Sequence, residues 1–244
     1  MRRPLLLALA LLTSRPAPAG ECVVLLHGLG RSPWSLFLMQ TALQRSGYEV
    51  WNQGYPSTSK PVEQLAPVVG EAIAWCRERK ATRIHFVTHS MGGILVREYF
   101  QDHRVPEAGR VVMLAPPNHG SEIVDVYGSH WWFRAATGPA GRQLGTSADD
   151  LPARLGPTGL EIGIIAGSRN PYPLFRGLFH GDNDGKVSVA SAALPEMKQM
   201  LVVDSGHTFM PSSPRVIEEV KAFLRDGAFI GAGVPATGVT AVQP

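Results

Sequence analysis

The chain has 244 residues, 44% of them apolar and 18% charged, enough for one ordinary domain with a full core, which excludes a disordered or fibrous protein. Its net charge of +3 resides in the first 19 residues, where Arg2, Arg3 and Arg15 have no acid beside them, and the remainder carries 20 basic and 20 acidic side chains. A neutral body lacks the footprint of a nucleic-acid binder, and that class is set aside.

Met1-Arg-Arg precedes an apolar run from Leu5 to Leu12, and Ala17-Pro-Ala19 supplies small residues where a signal peptidase reads. These are the three parts of a secretory signal, with cleavage expected after Ala19. Eight residues at about 1.5 Å each fall well short of about 30 Å of hydrocarbon, so this stretch is not a membrane span. Glu21 stands before Cys22, where a lipid-anchored leader needs a small residue. The protein is therefore expected to be exported, periplasmic or extracellular, without stable membrane insertion, and to act as a monomer. In an oxidising compartment Cys22 and Cys76 are expected to pair, the alternative being two buried free thiols.

Val23–Leu26 is a short apolar run ending at His27-Gly28 and predicts a buried parallel strand. Residues 33–46 have helical spacing and stop at Gly47; Tyr48–Trp51 predicts a second strand. Residues 61–79 predict one helix with Pro61 at its start and Leu65, Val68, Val69, Ala72, Ile73 and Cys76 on one face. Arg83–Thr88 predicts a strand running straight into a helix over about 91–101. Val111–Ala115, Ile162–Ala166 and Met200–Val203 predict further strands, the last of them closing the sheet. A final amphipathic helix is expected over 214–225, and the uncharged tail from 227 to 244 is expected to be disordered. Strands alternating with helices give an α/β domain over 20–226, a mostly parallel sheet with helices on both faces. In that topology Cys22 and Cys76 fall at the same end of the sheet, away from the strand C-termini. Residues 116–160 hold no evident strand but contain Tyr127, Trp131, Trp132 and Phe133, and read as a small cap over the strand C-termini. Residues 168–183 read as a long loop.

The chemistry falls at three strand ends. In Thr88-His-Ser-Met-Gly92 a buried strand turns directly into a helix, which lifts Ser90 above the sheet edge on a tight turn. Thr88 replaces the first glycine of G-x-S-x-G, so the strict motif is not met, and an ordinary N-cap serine is the plainer reading. His27-Gly-Leu-Gly30 ends the expected neighbouring strand; the N–H groups of Leu29 and Met91 can point at one spot and form an oxyanion hole. Of eight histidines, His207 follows the last predicted strand in Asp-Ser-Gly-His and is the candidate base. Asp184, in Gly-Asp-Asn-Asp-Gly-Lys-Val-Ser, is the candidate orienting carboxylate, with Asp182 as its competitor; Asp204 sits too close in sequence to reach round the ring. The same segment lacks the full spacing of an EF-hand, and no metal is expected. His27, His89, Trp131 and Trp132 are expected to border the substrate pocket. Ser90, then an aspartate, then His207, each just after a strand, is the strongest signal.

These segments resemble the α/β-hydrolase superfamily, in particular its small bacterial secreted lipases and esterases, over about residues 21–226. The resemblance rests on Val-Val-Leu-Leu-His-Gly-Leu-Gly, Val-Thr-His-Ser-Met-Gly-Gly, Met-Leu-Ala-Pro-Pro-Asn-His-Gly, Asn-Asp-Gly-Lys-Val-Ser and Ser-Gly-His-Thr. It implies Ser90 as nucleophile, Asp184 rather than Asp182 as the acid, His207 as the base, and the Leu29 and Met91 backbones as oxyanion donors. It implies ester hydrolysis through an acyl-enzyme, with no metal or organic cofactor, on a small-molecule or lipid ester. The same site could serve an acyltransferase, amidase or thioesterase, and a non-catalytic lipid-binding protein is the reading from a different class. No long lid helix is evident.

Overall fold

The computed structural model describes residues 20–175, 177–231, 234 and 235. The expected leader and its cleavage point lie outside the described residues. So do residues 232, 233 and 236–244 of the tail.

Six parallel strands form the sheet: β1 (Glu21–Leu26), β2 (Glu49–Trp51), β3 (Arg83–His89), β4 (Ala108–Leu114), β5 (Glu161–Gly167) and β6 (Gln199–Val203). Their spatial order is β2-β1-β3-β4-β5-β6, with a short antiparallel β7 (Val234–Pro235) pairing with β6. Strict alternation in β1 sorts its side chains: Val23 and Leu25 join one core, and Cys22, Val24 and Leu26 the other. The first core lies beneath α1 (Phe37–Arg45) and the C-terminal helix, through Met39, Leu43, Val220 and Phe223. The second lies beneath α2 (Val62–Leu65), α3 (Pro67–Glu78) and α4 (Met91–Asp102). Strands buried on both faces require the near-continuous apolar runs seen in the sequence.

The expected helix over 61–79 is two helices, because Pro67 has no N–H to continue the first and begins a new one. The 33–46 segment opens as a 3-10 turn over Pro33–Leu36 before α1 begins. The 116–160 cap contains α5 (Glu122–Tyr127), α6 (Trp131–Arg142) and α7 (Leu151–Arg154). Helix α6 is broken at Gly138, whose φ of 65° and ψ of −164° leave the helical region just before Pro139. A Cβ there would lie 1.6 Å from the Thr58 carbonyl oxygen, so only glycine lets the cap settle on the 55–60 loop. A short α8 (Val189–Ala192) precedes β6, and α9 (Pro214–Asp226) follows it.

Cys22 on β1 and Cys76 on α3 form a disulfide, with Cα atoms 6.0 Å apart and both residues fully buried. Among the described residues no helix is long and apolar enough to cross a membrane. The tail departs from expectation where it is described. Phe229 is buried against Phe223, with ring centroids 4.8 Å apart, and the N–H groups of Ile230 and Gly231 donate to the Glu219 carboxylate at 2.6 and 3.0 Å. Phe229 supplies the apolar anchor that a reading of the tail as uncharged overlooks, while Ile230 is engaged through its backbone N–H. With Val234 pairing opposite Met200, β6 is not the last strand.

Candidate active site

Ser90 stands between the end of β3 and the start of α4 with φ 54° and ψ −126°, in a region L-residues avoid. Its N–H donates to the Leu114 carbonyl at 2.8 Å, and its own carbonyl accepts from Gly93 at 3.0 Å. Close packing fixes the turn. A Cβ on Gly92 would lie 2.5 Å from the Leu26 carbonyl oxygen, and one on Gly28 would lie 3.0 Å from Ser90 Cβ. The His27-Gly-Leu-Gly turn therefore rests directly on Ser90. Thr88, in place of the motif's glycine, is fully buried, and room for it comes from Gly93, whose added Cβ would approach Thr88 Oγ1 to 3.2 Å.

Asp184 and His207 meet from two different loops. His207 Nδ1 donates to Asp184 Oδ2 at 2.7 Å, and the His207 backbone N–H donates to the Asp184 carbonyl at 3.0 Å. Asp184 Oδ1 accepts the N–H groups of Lys186 and Val187 at 2.9 and 2.8 Å, so a fully buried carboxylate is satisfied at both oxygens. Gly167, ending β5, permits this approach, since a Cβ there would fall 2.8 Å from Asp184 Cβ. Asp182 is exposed and Asp204 faces Arg169 at 3.7 Å; neither has His207 as a partner.

Ser90, His207, Leu29 and His89 line one cavity of about 350 Å³. The cap supplies much of its wall through Ser121, Ile123, Val124, Tyr127, Trp132 and Phe133. His89 is fully enclosed, and its Nε2 donates to the His207 carbonyl at 3.1 Å, which assigns the proton to that nitrogen. Burial, followed by the neighbouring His207, holds its basicity well below the usual histidine range, so the ring is neutral. His89 thereby tethers the backbone of the loop that carries His207.

Two residues expected at the pocket are elsewhere. His27 is buried outside the cavity wall, its Nδ1 turned onto the Gly28 carbonyl at 2.9 Å and its ring stacked on Tyr55 at 4.1 Å. Tyr55 also donates its hydroxyl to the His27 carbonyl. Trp131 is 80% exposed and does not line the cavity, because it falls on the outer side of α6 while Trp132 and Phe133 face inward. Met91, first residue of α4, is fully buried behind Ser90. Sequence reasoning missed Arg31 and Lys186, both in the cavity wall. Arg31 directly follows His27-Gly-Leu-Gly30 and Lys186 lies within Gly-Asp-Asn-Asp-Gly-Lys-Val-Ser, and only the folding of these two separated loops into one cavity brings them together.

An open, mostly parallel sheet whose strand ends carry a serine at positive φ and a buried aspartate–histidine pair is the architecture of the α/β hydrolases. The chain belongs to the alpha/beta hydrolase family, whose model matches residues 23–220. Among solved structures it is similar to the mature form of a Bacillus licheniformis lipase, at 22% identity and a TM-score of 0.61, over 79% of this chain and 85% of that one. It is also similar to a metagenomic carboxyl esterase (19% identity, TM-score 0.59, 79% of this chain and 66% of that one). A phospholipase from Legionella pneumophila shares 19% identity at a TM-score of 0.58, over 71% of this chain and 45% of that one. No curated protein matches the chain.

Proposed function

We propose that the chain is a serine hydrolase of carboxylic esters, of the small bacterial secreted lipase and esterase kind. Ser90 is the nucleophile, His207 the general base and Asp184 its orienting acid. The observation that carries this reading is the buried 2.7 Å bond between His207 Nδ1 and Asp184 Oδ2, with His207 and Ser90 on the wall of one cavity. With Nδ1 donating to Asp184, the lone pair of His207 Nε2 is available to take a proton. As Ser90 Oγ attacks the ester carbonyl, Nε2 accepts its proton, and Asp184 stabilises the imidazolium that forms. The developing oxyanion is received by the N–H groups of Leu29 and Met91, beside the N-terminus of α4, which favours negative charge. His207 then protonates the leaving alcohol, and water attacking the acyl-enzyme regenerates Ser90 by the same proton path.

Residues 1–19 fit this reading as a secretory leader, and the Cys22–Cys76 bridge suits an oxidising compartment. The test is hydrolysis of p-nitrophenyl esters from acetate to palmitate by the mature protein and by Ser90→Ala. Turnover should fall at least about a thousandfold in the variant with thermal unfolding unchanged. Retained turnover would refute the assignment.

A further inference from the structure

The cavity around Ser90 and His207 is mostly apolar, yet two cations, Arg31 and Lys186, lie in its wall; among the described residues that line it there is no Asp or Glu. Ion pairs elsewhere in the described chain engage Arg77, Arg79, Arg110, Arg169, Lys198, Lys221 and Arg225. Arg31 and Lys186 take part in none of them. Asp184 is near Lys186 in sequence, but its oxygens are already occupied by two backbone N–H groups and His207 Nδ1.

The backbone of Lys186 is pinned on both sides. Its N–H donates to Asp184 Oδ1 at 2.9 Å, and its carbonyl accepts the Ser121 hydroxyl at 2.6 Å, tying it to the cap. Burial pulls its ammonium below the usual lysine range, and Arg31 acts in the same direction. Tyr172 and Asp184 act in the opposite direction and do not cancel the effect. Arg31 and Lys186 also lower the basicity of His89, immediately before Ser90, which places both charges in the field of the reacting centre. A partly desolvated cation with no ion-pair contact is unfavourable until an anion arrives.

Building on the ester-hydrolase reading, we propose that Arg31 and Lys186 form an anion subsite. The substrate is then an ester bearing a carboxylate or phosphate close to the scissile bond, its apolar portion lying against Ile123, Val124, Trp132 and Phe133. Arg31 supplies a planar fork of donors and Lys186 a compact charge, a pairing suited to either anion.

Two matched pairs of esters test this. Mono-4-nitrophenyl glutarate against 4-nitrophenyl valerate places the anion on the acyl side. A 1-acylglycerol 3-phosphate against the 1-acylglycerol of the same chain places it on the alcohol side. In at least one pair, kcat/KM for the anionic member should exceed that of its neutral partner by about tenfold or more. That preference should collapse through KM in the Arg31→Gln, Lys186→Gln double variant. In the parent it should shrink as salt rises from about 0.02 to about 0.5 M, a measurement that needs no variant to fold. Equal or reversed preference in both pairs would overturn the subsite. So would a variant that loses both members of a pair in equal proportion, which would assign the cations to the oxyanion instead. Serine-dependent turnover of the neutral esters establishes the underlying reading separately; no turnover of any of the four would overturn that reading and the subsite with it.

Discussion

Replacing Asp184 with asparagine changes one atom and should inactivate the enzyme, for a reason set by two backbone N–H groups. The donors from Lys186 and Val187 converge on Oδ1 at 2.9 and 2.8 Å. An amide introduced there must turn its oxygen toward them and its NH₂ toward His207 Nδ1. His207 must then accept at Nδ1 and carry its proton on Nε2, leaving no lone pair facing Ser90. Restoring the productive tautomer would require flipping the amide and leaving two buried donors unmet, at about 1–3 kcal/mol each. At about 1.4 kcal/mol per factor of ten, that alone removes between about one and four powers of ten. The lost carboxylate charge, which no longer stabilises the imidazolium, brings the expected fall in kcat to about ten-thousandfold. The assay is p-nitrophenyl ester hydrolysis by Asp184→Asn and Asp182→Asn, with thermal melting as the check on folding. Asp182 is exposed, and its variant should stay within about twofold of the parent. More than a tenth of activity remaining in Asp184→Asn would refute the argument. Loss confined to Asp182→Asn would transfer the role to that residue.

Three further outcomes follow from the fold. Converting Cys22 and Cys76 together to alanine releases a 54-residue separation and should lower unfolding free energy by about 4 kcal/mol on the chain-entropy model, read from urea midpoints; a change below about 1 kcal/mol would contradict it. His85 is fully buried, its Nδ1 accepts the Arg110 N–H at 2.9 Å, and burial, with Arg83 and Arg110, brings its pKa down to about 4. Above about pH 6.5 it is neutral folded or unfolded and contributes nothing, but as pH falls toward 4 only the unfolded chain takes the proton, so about 3 kcal/mol of stability is lost across that window. His85→Asn keeps an acceptor for Arg110 and should flatten this acid limb; an unchanged slope would exclude His85 as its source. Thr88 Oγ1 is buried without a hydrogen-bond partner, so Thr88→Val should raise stability by about 1 kcal/mol in the same urea assay, and destabilisation would show that the hydroxyl has an unseen partner.

Strands buried on both faces announce themselves as apolar runs, and for that reason β1, β3, β5 and β6 were legible to within a residue or two. Ser90, Asp184 and His207 stand out in the sequence because each lies in a loop after a strand and their order is informative in itself; the structure brings His207 and Asp184 within 2.7 Å and sets His207 and Ser90 in one cavity wall. The cap was legible as a location but not as helices, since Gly128, Gly138 and Pro139 interrupt the helical period and only docking on the 55–60 loop explains the break at Gly138. His27 was misplaced because its orientation is decided by Tyr55, 28 residues away, which stacks on the ring and bonds the carbonyl. The pairing of Arg31 with Lys186 had no local signal. It exists only once the ends of β1 and the 182–188 segment converge beneath the cap.

The short β7 stands where the outer edge of β6 would otherwise be bare. An unpaired edge presents a row of free amides and carbonyls, an open template for a second chain. Here two residues of the returning tail occupy part of that row, with Phe229 as the plug and the buried Glu219 carboxylate as the clamp. Described residues of a segment expected to be disordered thus cover part of the sheet's border, at the far edge from the disulfide, so each side of the sheet has its own fastening.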